Sequence, residues 1–348
     1  MSASNSKLLP GRGLDIGTSY IISTREMEDG RIQYTEFRDA FYRLKPASPI
    51  ARKMMEKGLK GQQFFQDVDG SFIVLGQDAI ERAIERHESA NRPLVRGVIA
   101  PKEKQARRIL QHIFKEILGT PIAEDERVIY SVPAPPVDQL ADNFDVGFHV
   151  DAINNDIRAL GFNPEPLQEA EAICYSELEP DDYSGVCLSF GAGMVNVCLM
   201  SAGEAILHWS TTRSGDWVDR MAAQATGEPD TVIQVEKEGS KFEIGEEIIN
   251  NRILSAVSLY YVRLIDYTIQ YLIAHINRAD NLPKFSTSIP VVVAGGTSRA
   301  HGFVKQFSRI LEEKNIGDDL LPFEIKEVRH ATDPLRSVSR GLLLASQL

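Results

Sequence analysis

Gly13-Leu14-Asp15-Ile16-Gly17-Thr18-Ser19-Tyr20-Ile21-Ile22-Ser23 carries the pattern on which the fold turns. Apolar and β-branched residues flank a glycine-centred turn, so the stretch reads as a short strand, a tight turn and a returning strand. Such a turn presents successive backbone N–H groups, and its glycine leaves room for a phosphate to approach them. The pattern returns about 175 residues later: Val186 to Phe190 is a strand, Gly191-Ala192-Gly193 a turn, and Val195 to Met200 the returning strand. Two copies of one hairpin predict two related lobes facing each other across a cleft.

Between and beyond the copies the chain alternates strands with helices. Helical spacing runs over Asp78 to His87 and over Lys102 to Leu118, where Ala106, Ile109, Leu110, Ile113, Phe114 and Ile117 form one apolar stripe. Val128 to Val132 is a strand that stops at Pro133, and Val150 to Leu160 is helical before Gly161. After the second hairpin come a strand at Ala205 to Trp209, a long helix from Glu246 to Asn277, and a buried strand at Ile289 to Ala294. The turn Gly295-Gly296, a helix from Arg299 to Lys314 and a last helix at Val338 to Leu348 follow. Arg31 to Gly61 reads as irregular apart from a short helix over Ile50 to Leu59. It is locally basic, with Arg38, Arg43, Lys45, Arg52, Lys53, Lys57 and Lys60. Residues 38–60 are therefore either a solvated flap or a surface for an acidic protein partner or an anionic membrane.

The 348 residues suffice for two lobes, with 43% hydrophobic and 25% charged residues. No apolar run reaches the length of a membrane-spanning helix. Lys+Arg 38 against Asp+Glu 49 leaves a net charge of −11, which repels nucleic-acid backbones, and no nucleic-acid partner is expected. Cys174, Cys187 and Cys198 lack metal-site spacing and read as reduced, buried thiols, consistent with a cytoplasmic protein. Met1 to Arg12 holds neither a secretory apolar core nor an amphipathic anchoring stripe, so membrane contact is not encoded there.

In this order the pieces resemble the actin superfamily, which also contains sugar kinases and the nucleotide-binding part of seventy-kilodalton heat-shock chaperones. The first phosphate motif looks like Leu14-Asp15-Ile16-Gly17-Thr18-Ser19 and the second like Ser189-Phe190-Gly191-Ala192-Gly193-Met194. The adenosine motif looks like Val291 to Ser298, with Gly295-Gly296-Thr297 at its turn. The chain is most similar to bacterial actins such as MreB and the magnetosome-filament actin, through Leu75-Gly76-Gln77-Asp78-Ala79, Pro93 to Ile99, Ser131-Val132-Pro133 and Ser214 to Asp219. The resemblance implies an α/β, two-lobed actin-like (ribonuclease H-like) fold with a nucleotide cleft between the lobes. Residues 1–183, rejoined by 334–348, would form domain I, and 184–333 domain II.

It also implies ATP or another purine nucleotide with Mg²⁺ as cofactors. Asp15 would hold the metal, and Gly17, Thr18, Ser19, Gly191, Ala192, Gly193 and Met194 would surround the phosphates. Gly215, Asp216 and Gln234 would lie on the sugar side, and Gly295, Gly296 and Thr297 against the base. The water-orienting carboxylate or amide of the family is expected after Val132-Pro133, where His149 or Asp151 falls nearest. A histidine exposed at a helix entry is the plainer account of His149.

Three departures qualify the resemblance. Ser189 replaces the family's Asp and Met194 its Thr, which points to slow or absent hydrolysis. No adenosine-side Lys is evident near Gln234 and Glu236. Only Ser240 to Gly245 remain where MreB-like proteins carry a longer outer subdomain, so that part of lobe II is reduced. The function implied is an ATP-binding cytoskeletal subunit that self-associates into filaments. The alternatives are a non-filament interaction module, or a small-molecule kinase for which no base motif is found.

Overall fold

The computed structural model describes residues 7–138, 145–239, 242–245 and 250–348. Lobe I opens with an antiparallel meander of β1 (Arg12–Ile16), β2 (Tyr20–Glu26) and β3 (Ile32–Arg38). An insertion follows: β4 (Phe41–Leu44), α1 (Pro49–Gly58), β5 (Phe64–Gln66), β6 (Phe72–Leu75) and α2 (Gly76–Glu85). Its strands form a separate sheet in the order β4-β6-β5. A small hairpin, β7 (Leu94–Val95) and β8 (Val98–Ile99), leads to α3 (Ala106–Leu118), β9 (Arg127–Val132), α4 (Val146–Arg158), β10 (Asn163–Gln168) and α5 (Glu169–Glu177).

Lobe II repeats the plan. The meander β11 (Gly185–Phe190), β12 (Val195–Ser201) and β13 (Glu204–Thr211) is followed by α6 (Gly215–Thr226), α7 (Asp230–Gly239) and α8 (Arg252–Asn277). Then come β14 (Ile289–Ala294), α9 (Phe303–Lys314) and β15 (Ile325–His330), and the chain ends in α10 (Ser337–Gln347), which returns to lobe I. The main sheets run β3-β2-β1-β9-β10 and β13-β12-β11-β14-β15, each an antiparallel meander extended by two parallel strands. The hairpin duplication seen in the sequence is thus a duplication of whole sheets.

Several boundaries differ from the sequence reading for local reasons. The α3 helix starts at Ala106 because the Glu103 side chain accepts from Gln105 N at 3.0 Å and turns the chain first. The α8 helix starts at Arg252, where the Asn251 side chain caps Leu254 N at 3.0 Å; residues 246–249 lie outside the described residues. Asp145 caps α4 through Phe148 N, so the helix begins at Val146, four residues before the expected start. The stretch from Arg31 is not irregular. It contains β3, β4 and α1, and Arg38 and Arg43 turn inward to Glu238 and Asp67.

Each lobe has its own core, α3 and α4 covering one sheet and α8 and α9 the other. A third cluster joins them, bringing Ile129, Ile173, Cys174, Cys187, Cys198, Val292 and Leu342 together. The three cysteines are free and buried there, and burial raises the thiol pKa of Cys174 and Cys187. α10 packs on α5, β1 and β9. Among the described residues no helix is long and apolar enough to cross a membrane.

Candidate functional site

Both glycine hairpins open on one cavity of about 1000 Å³ between the main sheets. The turns are closed alike, by Gly17 N donating to Tyr20 O at 3.0 Å and Gly191 N donating to Met194 O at 3.0 Å. They also touch across the lobes: a Cβ on Gly193 would sit 2.6 Å from Thr18 Oγ1 and 2.9 Å from Arg96 Cα. Thr18 Oγ1 in turn accepts from Gly97 N at 2.9 Å. Asp15, Gly17, Thr18, Ser19, Gly191, Ala192, Gly193, Met194, Gly215, Asp216, Gln234, Gly295, Gly296 and Thr297 all line this cavity. Thr297 Oγ1 and Ser214 Oγ both donate to Gly191 O, at 2.7 and 2.5 Å, tying the Gly295-Gly296 turn and the start of α6 to the second hairpin.

Two carboxylates lie at the closed end. Asp15, on β1, accepts from Ser131 Oγ at 2.9 Å, and Ser131 Oγ itself accepts from Ile16 N. Glu169, the first residue of α5, accepts from Ser189 Oγ at 3.2 Å and Asn196 Nδ2 at 3.0 Å. Glu169 lines the cavity and was not singled out in the sequence. A signal existed: it is an acid at the step from a strand into a helix, the place where open α/β sheets present site residues. Ser189 and Asn196 thus both bond Glu169; Ser189 itself lines the cavity, whereas Asn196 does not.

Burial pushes Asp15 up to about 7. Glu169 is pushed up to about 8 by burial and then by the Asp15 charge, with the Ser189 and Asn196 hydrogen bonds opposing. The folded chain therefore holds protons that the unfolded chain has released, from roughly pH 4 upward. Stability of the ligand-free protein is fullest below that range and falls as pH rises through about 8. Urea midpoints measured across pH 4 to 9 check this, and Glu169→Gln should flatten the slope.

The other side of the cavity is ionic. Lys237 Nζ lies 2.6 Å from Asp219 Oδ1, and both line the wall. Burial raises Asp219 to about 6, with Lys237 opposing. Lys237 thus places a cation on the wall that Gln234 also lines. Arg92 of lobe I reaches Asp216 at 2.6 Å and Gln234 at 3.2 Å, and Arg38 reaches Glu238 at 3.0 Å. These pairs span the lobes along the mouth.

His149 and Asp151 are not brought to the cavity. His149 is fully buried on α4, so the exposed-histidine account does not hold, and burial pushes its pKa down to about 4. Asp151 is exposed on the same helix. The sequence placed them nearest because they follow β9, but the chain continues through β10 before a helix starts at the cavity.

The chain is similar over nearly its whole length to solved actin-like structures. A MamK double helical filament matches with a TM-score of 0.69 at 17% identity, covering 97% of this chain and 98% of that one. MreB5 of Spiroplasma citri matches with a TM-score of 0.63 at 16% identity, covering 97% and 96%. The ethanolamine utilization protein EutJ from Carboxydothermus hydrogenoformans matches with a TM-score of 0.55 at 15% identity, covering 97% and 92%. No curated protein sequence matches it. The two-lobed α/β architecture is thus an actin-like fold. The family described as Volactin matches residues 11–346, and the chain belongs to the Volactin family.

Proposed function

We propose that this protein binds a purine nucleotide with Mg²⁺ in the interlobe cavity and polymerises, with slow hydrolysis setting filament lifetime. The observation that carries the reading is the pair of facing glycine hairpins above Asp15 and Glu169, in one cavity walled by both lobes. Two similar structures support it: the MamK match is a filament, and MreB5 was solved with ADP. A ligand touching both hairpins favours the closed arrangement of the lobes, and filament contacts that need this arrangement are then linked to the nucleotide. In this reading domain I is residues 1–183 with 334–348, domain II is 184–333, and the protein works in the cytoplasm.

The residues fit a hydrated divalent ion. Among the described residues no cluster of three or more His, Cys, Asp or Glu forms an all-protein cage. Mg²⁺ favours one or two carboxylates with waters and phosphate oxygens, and Asp15 offers such a carboxylate on the cavity wall. When bound, the ion would neutralise phosphate charge. Asp15 would hold it from β1, the hairpin N–H groups and the Thr18 and Ser19 hydroxyls would orient the phosphates, and Glu169 would accept a proton from the attacking water. Gly295, Gly296 and Thr297 take the base, with Lys237 and Gln234 on the ribose side.

Sedimentation with electron microscopy, with and without Mg-ATP, tests the polymer. Filaments with a nucleotide-dependent critical concentration are expected, and a supernatant unchanged at every concentration refutes assembly. Asp15→Ala should weaken nucleotide binding at least about tenfold in Mg²⁺ and far less in chelator, by calorimetry. An unchanged Kd would move the site elsewhere. A non-filament interaction module is the second reading, favoured by the uncharged Ser189 and Met194 in the second hairpin.

A further inference from the structure

α1 leaves every one of its residues at least partly exposed. Ser48 Oγ caps its start at Ala51 N, 3.1 Å away, and it stands on the outer β4-β6-β5 sheet of lobe I. Ile50, Lys53, Met54 and Lys57 fall at i, i+3, i+4 and i+7, on one face. Ile50 is 77% and Met54 63% exposed. Lys53 and Lys57 form no ion pair among the described residues. These two apolar side chains and the two ammonium groups give one helix face both apolar and cationic character.

A complementary surface lies on lobe II. Between α9 and β15, residues 316–320 are all exposed, with Ile316 at 63% and Leu320 at 59%. Asp318 and Asp319 stand between those two apolar side chains and form no ion pair among the described residues. The segment is a defined bracket: Asn315 Oδ1 accepts from Leu321 N at 2.7 Å, and Leu321 is buried. One surface thus offers two apolar residues and two ammonium groups, the other two apolar residues and two carboxylates.

The two surfaces lie at opposite ends. β14 and β15 run parallel, and β14 ends at the cavity through Gly295, so the segment before β15 is at the end away from the cavity. β3 ends at the cavity side, since Arg38 pairs with Tyr20 beside the first hairpin turn, and the outer sheet with α1 continues beyond it. From this we infer that α1 of one copy docks on residues 316–320 of the next. Such a contact is heterologous, and where the rotation does not close it repeats into a filament. A second copy is favoured over an anionic membrane because the matching acidic and apolar counterpart is present on this chain, whose net charge is −11. The inference rests on the polymer reading and gives it a contact.

The test is charge reversal in the full chain with Mg-ATP. Lys53→Glu with Lys57→Glu, and separately Asp318→Lys with Asp319→Lys, should each raise the critical concentration at least about tenfold. Combining all four should return it to within about threefold of the parent. Unchanged critical concentrations in the double variants, or a fourfold variant no better than the doubles, would overturn the contact. Nucleotide-induced thermal shifts should stay at the parent value, since neither surface lines the cavity.

If the parent forms no filaments the polymer reading fails, and cross-linking then decides the contact by itself. A Met54→Cys copy mixed with a Leu320→Cys copy should give a covalent dimer with a short bis-maleimide, the three native cysteines being buried. No dimer at high concentration overturns the inference. It is equally overturned if phosphatidylglycerol vesicles capture the parent and lose the Lys53→Glu, Lys57→Glu variant while assembly is unaltered.

Discussion

Replacing Glu169 by Gln is expected to lower nucleotide hydrolysis by about 10²- to 10⁴-fold, the usual range for loss of a positioned base. Nucleotide affinity should stay within about threefold, because the amide keeps the volume and can still accept from Ser189 Oγ and Asn196 Nδ2. What it loses is a proton-accepting oxygen. Burial and the neighbouring Asp15 raise the Glu169 pKa to about 8, so the ionised, proton-accepting form gains population through neutral pH. Phosphate release by the parent should therefore rise from about pH 6 to about pH 8, and the Gln variant should be flat over that interval. Equal rates for parent and variant would remove Glu169 from the chemistry. His149 could not take its place, being buried on α4 away from the cavity.

Gly341→Ala should destabilise the protein by about 2–4 kcal/mol, the upper range for overpacking a buried contact. A Cβ there would lie 1.7 Å from Ala172 O and 2.5 Å from Ala172 C. Both atoms are α5 backbone, so no side-chain rotation relieves the clash. α10 cannot retreat, because on its other side a Cβ at Gly13 would already meet Ser339 O at 2.1 Å and Leu343 N at 2.6 Å. The helix is clamped between β1 and α5, the two elements that carry Asp15 and Glu169. A weaker nucleotide affinity should accompany the lower urea midpoint. A midpoint shift worth less than about 0.5 kcal/mol would show slack between these helices and remove the rigid link between α10 and the carboxylate pair.

The same clamp explains why some elements were legible and others not. α3 announces itself by an apolar stripe because only one of its faces is buried. α5 is buried on more than one side, with Ala170, Ala172, Ile173 and Cys174 inside and the carboxyl side chains of Glu169 and Glu177 inside as well, so no single periodicity marks it. β3 is an edge strand with alternating partial exposure, and its basic end reads as solvated loop in the sequence because the Arg38 partner, Glu238, is 200 residues away. Lys237 was hidden for a related reason, since its partner Asp219 lies on the preceding helix α6.

The amino-acid sequence by itself determined the duplicated hairpins and the glycine-rich lining of the cavity. Close backbone approach admits no side chain, and that demand is written locally as glycine at fixed spacing. It determined equally the absence of a long apolar span and the acidic balance, which are sums over residues. Tertiary structure decided which carboxylate faces Asp15, which cation stands on the far wall, and that Arg92 and Arg38 span the lobes. The carboxylate pair and the two arginine bridges join residues 100 or more positions apart through parallel strand pairing and helix packing. Charge at such a site depends on who is buried beside whom, and linear spacing carries no record of it.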